Sequence, residues 1–218
     1  MTEPTSPEYE PVQERSQRTR DRLIEALESL LRDEGSFEQA TIADIADRAG
    51  VSVGAVYRRF RNKDAFIPVL FELYFQRLAE SAEARPPLDP AAGLRQTLRV
   101  QVRAAWTFIQ EEGHLLRGVQ LYSRRHPELV GDEWDALRES AREGVRHLLE
   151  AFRSEVAHED LDHAAQMVAY LLNTCLPERG LYPAMGISAG MTVPEDDFLD
   201  GVADFAWTWL AGTAGRHA

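Results

Sequence analysis

Thr41-Ile-Ala-Asp-Ile-Ala-Asp-Arg-Ala-Gly-Val-Ser-Val-Gly-Ala-Val-Tyr-Arg-Arg-Phe-Arg-Asn-Lys63 is the stretch that decides how this chain is read. Thr41 followed three residues later by Asp44 has the form of a capping box: a hydroxyl for an orphan amide, and negative charge at the positive end of a helix. Ile42, Ile45, Ala46 and Ala49 then fall on one face at helical spacing. Gly50 stands where the chain must turn with a positive φ, and Ser52 is placed to cap a second short helix. In that helix Val56 and Phe60, four apart, point to a core. Val53, Gly54, Ala55, Tyr57 and Arg58 lie on the outer arc. Arg58, Arg59, Arg61 and Lys63 follow with no acid among them. Asn62 caps a further helix, with Asp64 in its first turn. Two short helices, a tight turn and a basic end are the layout of a helix-turn-helix that presents one helix to the DNA major groove.

The stretch before it supports that layout. Leu23, Ile24, Leu27, Leu30 and Leu31 form an apolar stripe over about residues 16–33. Gly35 is expected to end that helix, and Phe37 to plug a small core. A helix as short as 53–57 is not stable alone, so the motif requires a three-helix bundle around it. Lys63 is the chain's only lysine. As the first residue of the next helix, it lies where an ammonium and a backbone amide can hold one DNA phosphate.

The sequence resembles the tetracycline-repressor (TetR) family of transcriptional regulators. The residues that carry the likeness are Thr41-Ile42, Ile45-Ala46, Ala49-Gly50-Val51-Ser52, Gly54, Val56-Tyr57, Phe60 and Asn62-Lys63. At motif level it covers about residues 16–80. It implies phosphate contacts from Thr41, Tyr57 and Lys63, and base or phosphate contacts from Val53, Gly54, Ala55 and Arg58. Ser52 and Arg59 complete the expected DNA-facing set. At Ala55 many relatives carry a hydroxyl; the methyl here could instead touch a thymine methyl.

The chain has 218 residues and a formal net charge of −12. Local charge is what meets phosphate, and the acidic excess elsewhere disfavours non-specific adhesion to DNA. Arg15, Arg18, Arg20 and Arg22 against Asp21 make a second basic patch. This patch is either a minor-groove arm or, the reading preferred, a solvated helix start. Residues 1–14 are acidic and proline-rich, the composition of a disordered tail. The expected organisation is therefore this tail, a helix-turn-helix domain over 15–62, and a larger helical domain over 63–218, all-α throughout.

The second domain shows helical periodicity only. Helices are expected from about Phe66 to Ala84 and from Pro90 to Glu112. Gly113 should break the chain before a shorter piece, His114 to Arg125. Further helices are expected over Pro127 to Val156, Leu161 to Leu176 (ending at Pro177) and Glu195 to Ala211. The family likeness implies that this domain dimerises and holds a small effector. The apolar arcs of the last two helices, carrying Met167, Tyr170, Leu171, Phe198, Phe205 and Trp209, are wide enough for a four-helix interface between two copies. A pocket would lie among Phe71, Phe75, Gln101, Trp106, Phe108, Leu116, Gln120, Tyr122, Trp134 and His147. Ordinary core packing competes with ligand contact at each of them.

Enzyme chemistry finds little support. His158 and His163 lack the four-residue spacing that places two metal ligands on one helical face. The lone Cys175 has no catalytic signature and no intrachain disulfide partner. No apolar run approaches the ~20 residues of a membrane span. The expectation is a cytoplasmic homodimer without cofactor or metal that binds a palindromic double-stranded operator. It would act as a repressor released by a small apolar or aromatic molecule. The alternatives are a helix-turn-helix regulator with no small-molecule ligand and, more remotely, an all-α enzyme.

Overall fold

The computed structural model describes residues 12–34, 37–84, 88–129, 132–182 and 192–212. Among these residues every regular element is a helix. The α-helices are α1 (Val12–Glu34), α2 (Ile42–Arg48), α3 (Val53–Tyr57), α4 (Ile67–Glu83), α5 (Gly93–Arg125), α6 (Glu133–Ala151), α7 (Leu161–Leu181) and α8 (Glu195–Leu210). The first helix begins at Val12, inside the segment expected to be a disordered tail; residues 1–11 and Gly35 lie outside the described residues.

Leu23, Ala26, Leu27, Leu30 and Leu31 of α1 are buried, the 3–4 spacing of one helical face. They close over Ile45, Ala46 and Ala49 from α2 and Val56 from α3. Phe60 and Phe66 stack with ring centroids 3.7 Å apart beneath the start of α4. Phe37 is buried as expected, and its ring meets Tyr122 of α5 edge-on at 4.8 Å.

Helix α5 is the spine of the larger unit, and here the structure corrects the sequence reading. Gly113 does not break it; 33 residues run without interruption. A β-carbon at Gly113 would lie 2.7 Å from Leu181 of α7, and one at Gly180 of α7 would lie 2.6 Å from Ile109 of α5. The two glycines let the two backbones approach, a packing role rather than a turn. Gly118 similarly seats Leu31, bringing α1 against α5. The helix α7 also passes through Pro177, expected to end it, and reaches Leu181. The missing N–H forfeits a bond to the carbonyl of Asn173, an exposed residue.

Two charged arrays tie the helices. Arg95 and Arg99 of α5 both hold Asp204 of α8, and Arg103 holds Asp200 (2.6 Å), a ladder at four-residue intervals on both helices. The second array joins α1, α4 and α5. Arg77 donates to Glu28 (2.8 Å) and to Glu112, while Arg32 donates to the other oxygen of Glu28 (2.7 Å). His114 Nε2 lies 3.1 Å from Arg32 Nε and also 3.1 Å from Glu28 Oε1. That nitrogen can accept from Arg32 when bare or donate to Glu28 when protonated, but not both. Glu28, Glu112 and His114 bring their ligand atoms within 4.8 Å of one another. Arg77 already bridges the two carboxylates, so the positive charge they need is a guanidinium.

Candidate nucleic-acid interface

The recognition element is built from its caps outward. Thr41 Oγ1 accepts from the Asp44 amide at 3.1 Å, and the Asp44 carboxylate accepts from the Thr41 amide at 2.9 Å, closing the expected capping box. The Thr41 hydroxyl also donates to Asp44 (2.6 Å). Hydrogen bonds from this hydroxyl and amide hold the Asp44 carboxyl below the usual range. Gly50 turns at φ +63°. Val51 N–H reaches Ala46 O and Gly50 N–H reaches Asp47 O, both at 2.9 Å, which satisfies the last carbonyls of α2 in a Schellman arrangement. Ser52 Oγ then accepts from the Ala55 amide at 3.2 Å, and Asn62 Oδ1 from the Ala65 amide at 3.1 Å.

Arg22 has a role the sequence does not reveal. It reaches 27 residues ahead to donate to Ala49 O, with Gly50 O 3.5 Å away. A cation on the carboxyl end of α2 favours the helix dipole and pins the turn against α1. Arg22 therefore leaves the basic patch to which composition assigns it, and Arg20 pairs with Glu72 (3.7 Å).

On α3, Val53, Gly54, Tyr57 and Arg58 are exposed together with the cap Ser52; Tyr57 keeps 54% of its surface and Val53 42%. Ala55 is a correction: it is buried, with only 8% of its surface exposed. Arg59 folds back over it, donating to Ala55 O (3.3 Å) and Ser16 O (3.2 Å), so both residues fasten α3 to α1. Lys63 is also turned inward. Its ammonium donates to Glu38 O at 3.0 Å and lies 4.7 Å from the Phe37 ring centroid. Burial lowers its pKa, against the charges of Asp64 and Glu38. An ammonium has three donors, so this bond leaves capacity for a phosphate.

The expected pocket residues do not gather around one opening. Phe71, Trp106, Phe108 and Leu116 are buried in the common core. Phe75 packs at its edge, and Gln101 is partly buried. Gln120 accepts from Tyr182 (2.9 Å), and Tyr122 donates to Asp64. His147 is exposed because its neighbours Leu148 and Leu149 take the inner face of α6. The side chain of Trp134 lies outside the described residues. A cleft of about 570 Å³ does open elsewhere, between α1, α5 and α7.

The six expected interface residues divide. Tyr170, Phe205 and Met167 are 70%, 67% and 45% exposed. Leu171 and Trp209 are half-buried. Phe198 is a correction: it is buried in the chain's own core, against Trp106 (6.0 Å) and under the Arg179 guanidinium (4.5 Å).

A capped helix-turn-helix with an exposed α3 edge, mounted on a body that is helical throughout its described residues, is the structural class of this chain. Residues 23–68 match the family described as bacterial regulatory proteins, tetR family. Over 88 residues the chain is 36% identical to a probable HTH-type transcriptional regulator, ArpR, of Pseudomonas putida. It is 35% identical to the HTH-type transcriptional regulator TtgR, from a strain of the same species. Each alignment covers 39% of this chain and 41% of the relative, so the match spans about two fifths of the curated proteins' length. A TetR-like transcriptional regulator from Rhodococcus sp. RHA1 shares the fold, with a TM-score of 0.62 and 19% identity over 91% of this chain and 97% of that one. The likeness to the tetR family thus lies in the helix-turn-helix segment, residues 23–68, and the all-helical fold is shared with the TetR-like structure over most of both chains. None of this chain's described helices is long and apolar enough to cross a membrane.

Proposed function

We propose that this chain is a dimeric, DNA-binding transcriptional regulator whose α3 enters the major groove. The observation that carries the reading is the exposed edge of Val53, Gly54, Tyr57 and Arg58 on a helix capped at its start and pinned through Arg59 to α1. In a major groove Arg58 can read a guanine edge or a phosphate, and Tyr57 can donate to a phosphate. Thr41 and Lys63 sit at the two flanking helix starts. One such helix reads few base pairs. Twofold pairing through the exposed face of α7 and α8 would place two of them about one helical turn apart, ~34 Å, on a palindromic site.

Release by a small apolar or aromatic effector completes the reading. Its support is the likeness to the tetR family; an effector between α4 and α5 would have to open the packed rings of Phe71, Tyr74, Phe75 and Phe108. The helix α4 would be the lever, since it begins at the Lys63 turn and passes that cluster. An effector must favour the reader spacing that DNA does not tolerate, or it shifts nothing.

Selection of bound duplexes from a random-sequence pool tests the DNA reading. A twofold-symmetric motif is expected. Arg58→Ala should relax preference at one position of each half-site. Lys63→Ala should weaken all duplexes alike and lower the salt slope by about one unit per half-site. Recovery of no enriched motif at low salt would overturn the proposal.

A further inference from the structure

We propose that the cleft between α1, α5 and α7 is a binding site for a small organic anion, carrying one carboxylate or phosphate on a compact apolar body. Leu31, Arg32, Ile109, His114, Arg117 and Gly180 line it, and its volume of about 570 Å³ is that of a small-molecule site.

The charge balance inside the cleft points to an anion. Glu28 and Glu112 are matched by Arg77 and Arg32. Arg117 stands outside that balance. Its Nε–H is buried and has no hydrogen-bond partner, and among the described residues the side chain makes no ion pair. A buried guanidinium donor without an acceptor is unfavourable, and a carboxylate or phosphate oxygen is the group that best satisfies it. Glu111, the other acid on the rim, is exposed and does not bond to Arg117.

Arg32 supplies the second cation. Its side chain remains 53% exposed at the mouth, with Nη2 on Glu28 and Nε on His114. An anion spanning Arg117 and Arg32 therefore competes with Glu28 for Arg32. The apolar part of the ligand meets Leu31 and Ile109, the apolar side chains of the cleft wall. This site is separate from the ring cluster between α4 and α5, and its ligand is of the opposite polarity.

Calorimetric titration of the full chain without DNA tests the proposal independently of the regulatory reading. The probes are benzoate, octanoate and phenyl phosphate, with benzyl alcohol as the uncharged control. At least one anion is expected to bind once per chain with a dissociation constant of ~1 mM or tighter, and benzyl alcohol at least about tenfold more weakly. Arg117→Gln should weaken the anion about tenfold, and Arg117→Lys should restore part of the loss. In the wild-type chain the same anion should shift the imidazole NMR signals of His114, a readout that survives if Arg117→Gln does not fold. The proposal is overturned if none of the three anions binds below ~10 mM. Equal binding of benzyl alcohol, undiminished binding to Arg117→Gln, or binding that leaves His114 unmoved would overturn it equally.

Discussion

The hydroxyl of Tyr122, near the end of α5, donates to the carboxylate of Asp64, the residue that follows Lys63 in the turn leading into α4. The same tyrosine ring packs edge-on against Phe37 and stacks on His126 at 4.5 Å, and Phe37 lies beneath the Lys63 ammonium. One aromatic side chain of the body thus touches both the turn that positions Lys63 and the ring that holds it inward. Tyr122 therefore links the end of α5 directly to the turn that carries Lys63 and Asp64.

Tyr122→Phe keeps the ring packing and removes the donor. The expected loss is about 1–2 kcal/mol in urea unfolding at pH 7, for a hydrogen bond to a charged acceptor at a half-buried site. The pH dependence has a definite sign. Burial first, then the hydrogen bond to Asp64 and nearby acid charges, push the Tyr122 pKa up to about 12; burial and the Glu112 charge do the same to Tyr74. A raised pKa means stability that is complete below the ordinary value near 10 and lost as pH rises toward 12. Between those values the wild type should lose stability, and Tyr122→Phe should lose less. Identical alkaline slopes for the two proteins would contradict the contact.

The Glu28 array makes the opposite prediction at acid pH. Burial pushes the Glu28 carboxyl up, but hydrogen bonds with His114 and Arg77 and the charges of Arg77 and Arg32 outweigh it and hold the pKa at about 2. A lowered pKa gives stability that is present above 4.5 and lost as pH falls toward 2. Glu28→Gln leaves Arg77 and Arg32 short of an anion, with an expected loss of about 2 kcal/mol at pH 7, below the range for fully buried pairs because Arg77 is partly exposed. The gap between the variant and wild type should narrow between pH 4.5 and 2.5. Urea midpoints across that range measure it, and a constant gap would mean that the loss is packing alone.

What the sequence discloses follows from the range of each interaction. The capping box, the Gly50 turn and the Ser52 and Asn62 caps join residues three to five apart, and all of them stand in the structure as read. The long-range ones are not legible. Nothing near Arg22 announces that it will meet Ala49, and nothing near Arg59 that it will fold over Ala55 to reach Ser16. Gly113 misleads because a glycine that lets helices touch and a glycine that ends one look alike until Leu181 is placed beside it. Phe198 misleads for a related reason. The width of an apolar arc does not say which part faces the chain's own Trp106 and which part faces outward.

The glycines give a test in which similar changes should have opposite signs. Gly113→Val and Gly180→Val add atoms where even a β-carbon would be 2.7 and 2.6 Å from Leu181 and Ile109. Each should destabilise by about 1–3 kcal/mol through overpacking between α5 and α7. Gly144, mid-way along α6, has nothing within 4 Å of an added β-carbon. Gly144→Ala should therefore stabilise by about 0.5–1 kcal/mol through helix propensity. Thermal unfolding of the three variants settles the matter, and a stabilised Gly113→Val would show that α5 breaks there after all.

The last prediction concerns the face left uncovered on α7 and α8. Met167, Tyr170 and Phe205 are exposed in the single chain, and large apolar side chains left at the surface are candidates for burial against another copy. Phe205→Glu alters a side chain that is 67% exposed and lies outside the buried core of the single chain. The variant should therefore fold with unchanged helicity yet fail to pair, because pairing would bury a carboxylate with no partner. Tyr170→Glu, on the neighbouring helix, should act alike. Sedimentation equilibrium is expected to show wild-type dimers and variant monomers, with the dimer constant weakened by at least about a hundredfold, close to 3 kcal/mol. Operator affinity should fall with it, since each monomer then holds only one half-site. A Phe205→Glu dimer of normal stability would exclude α8 from the interface and turn attention to another surface of the body.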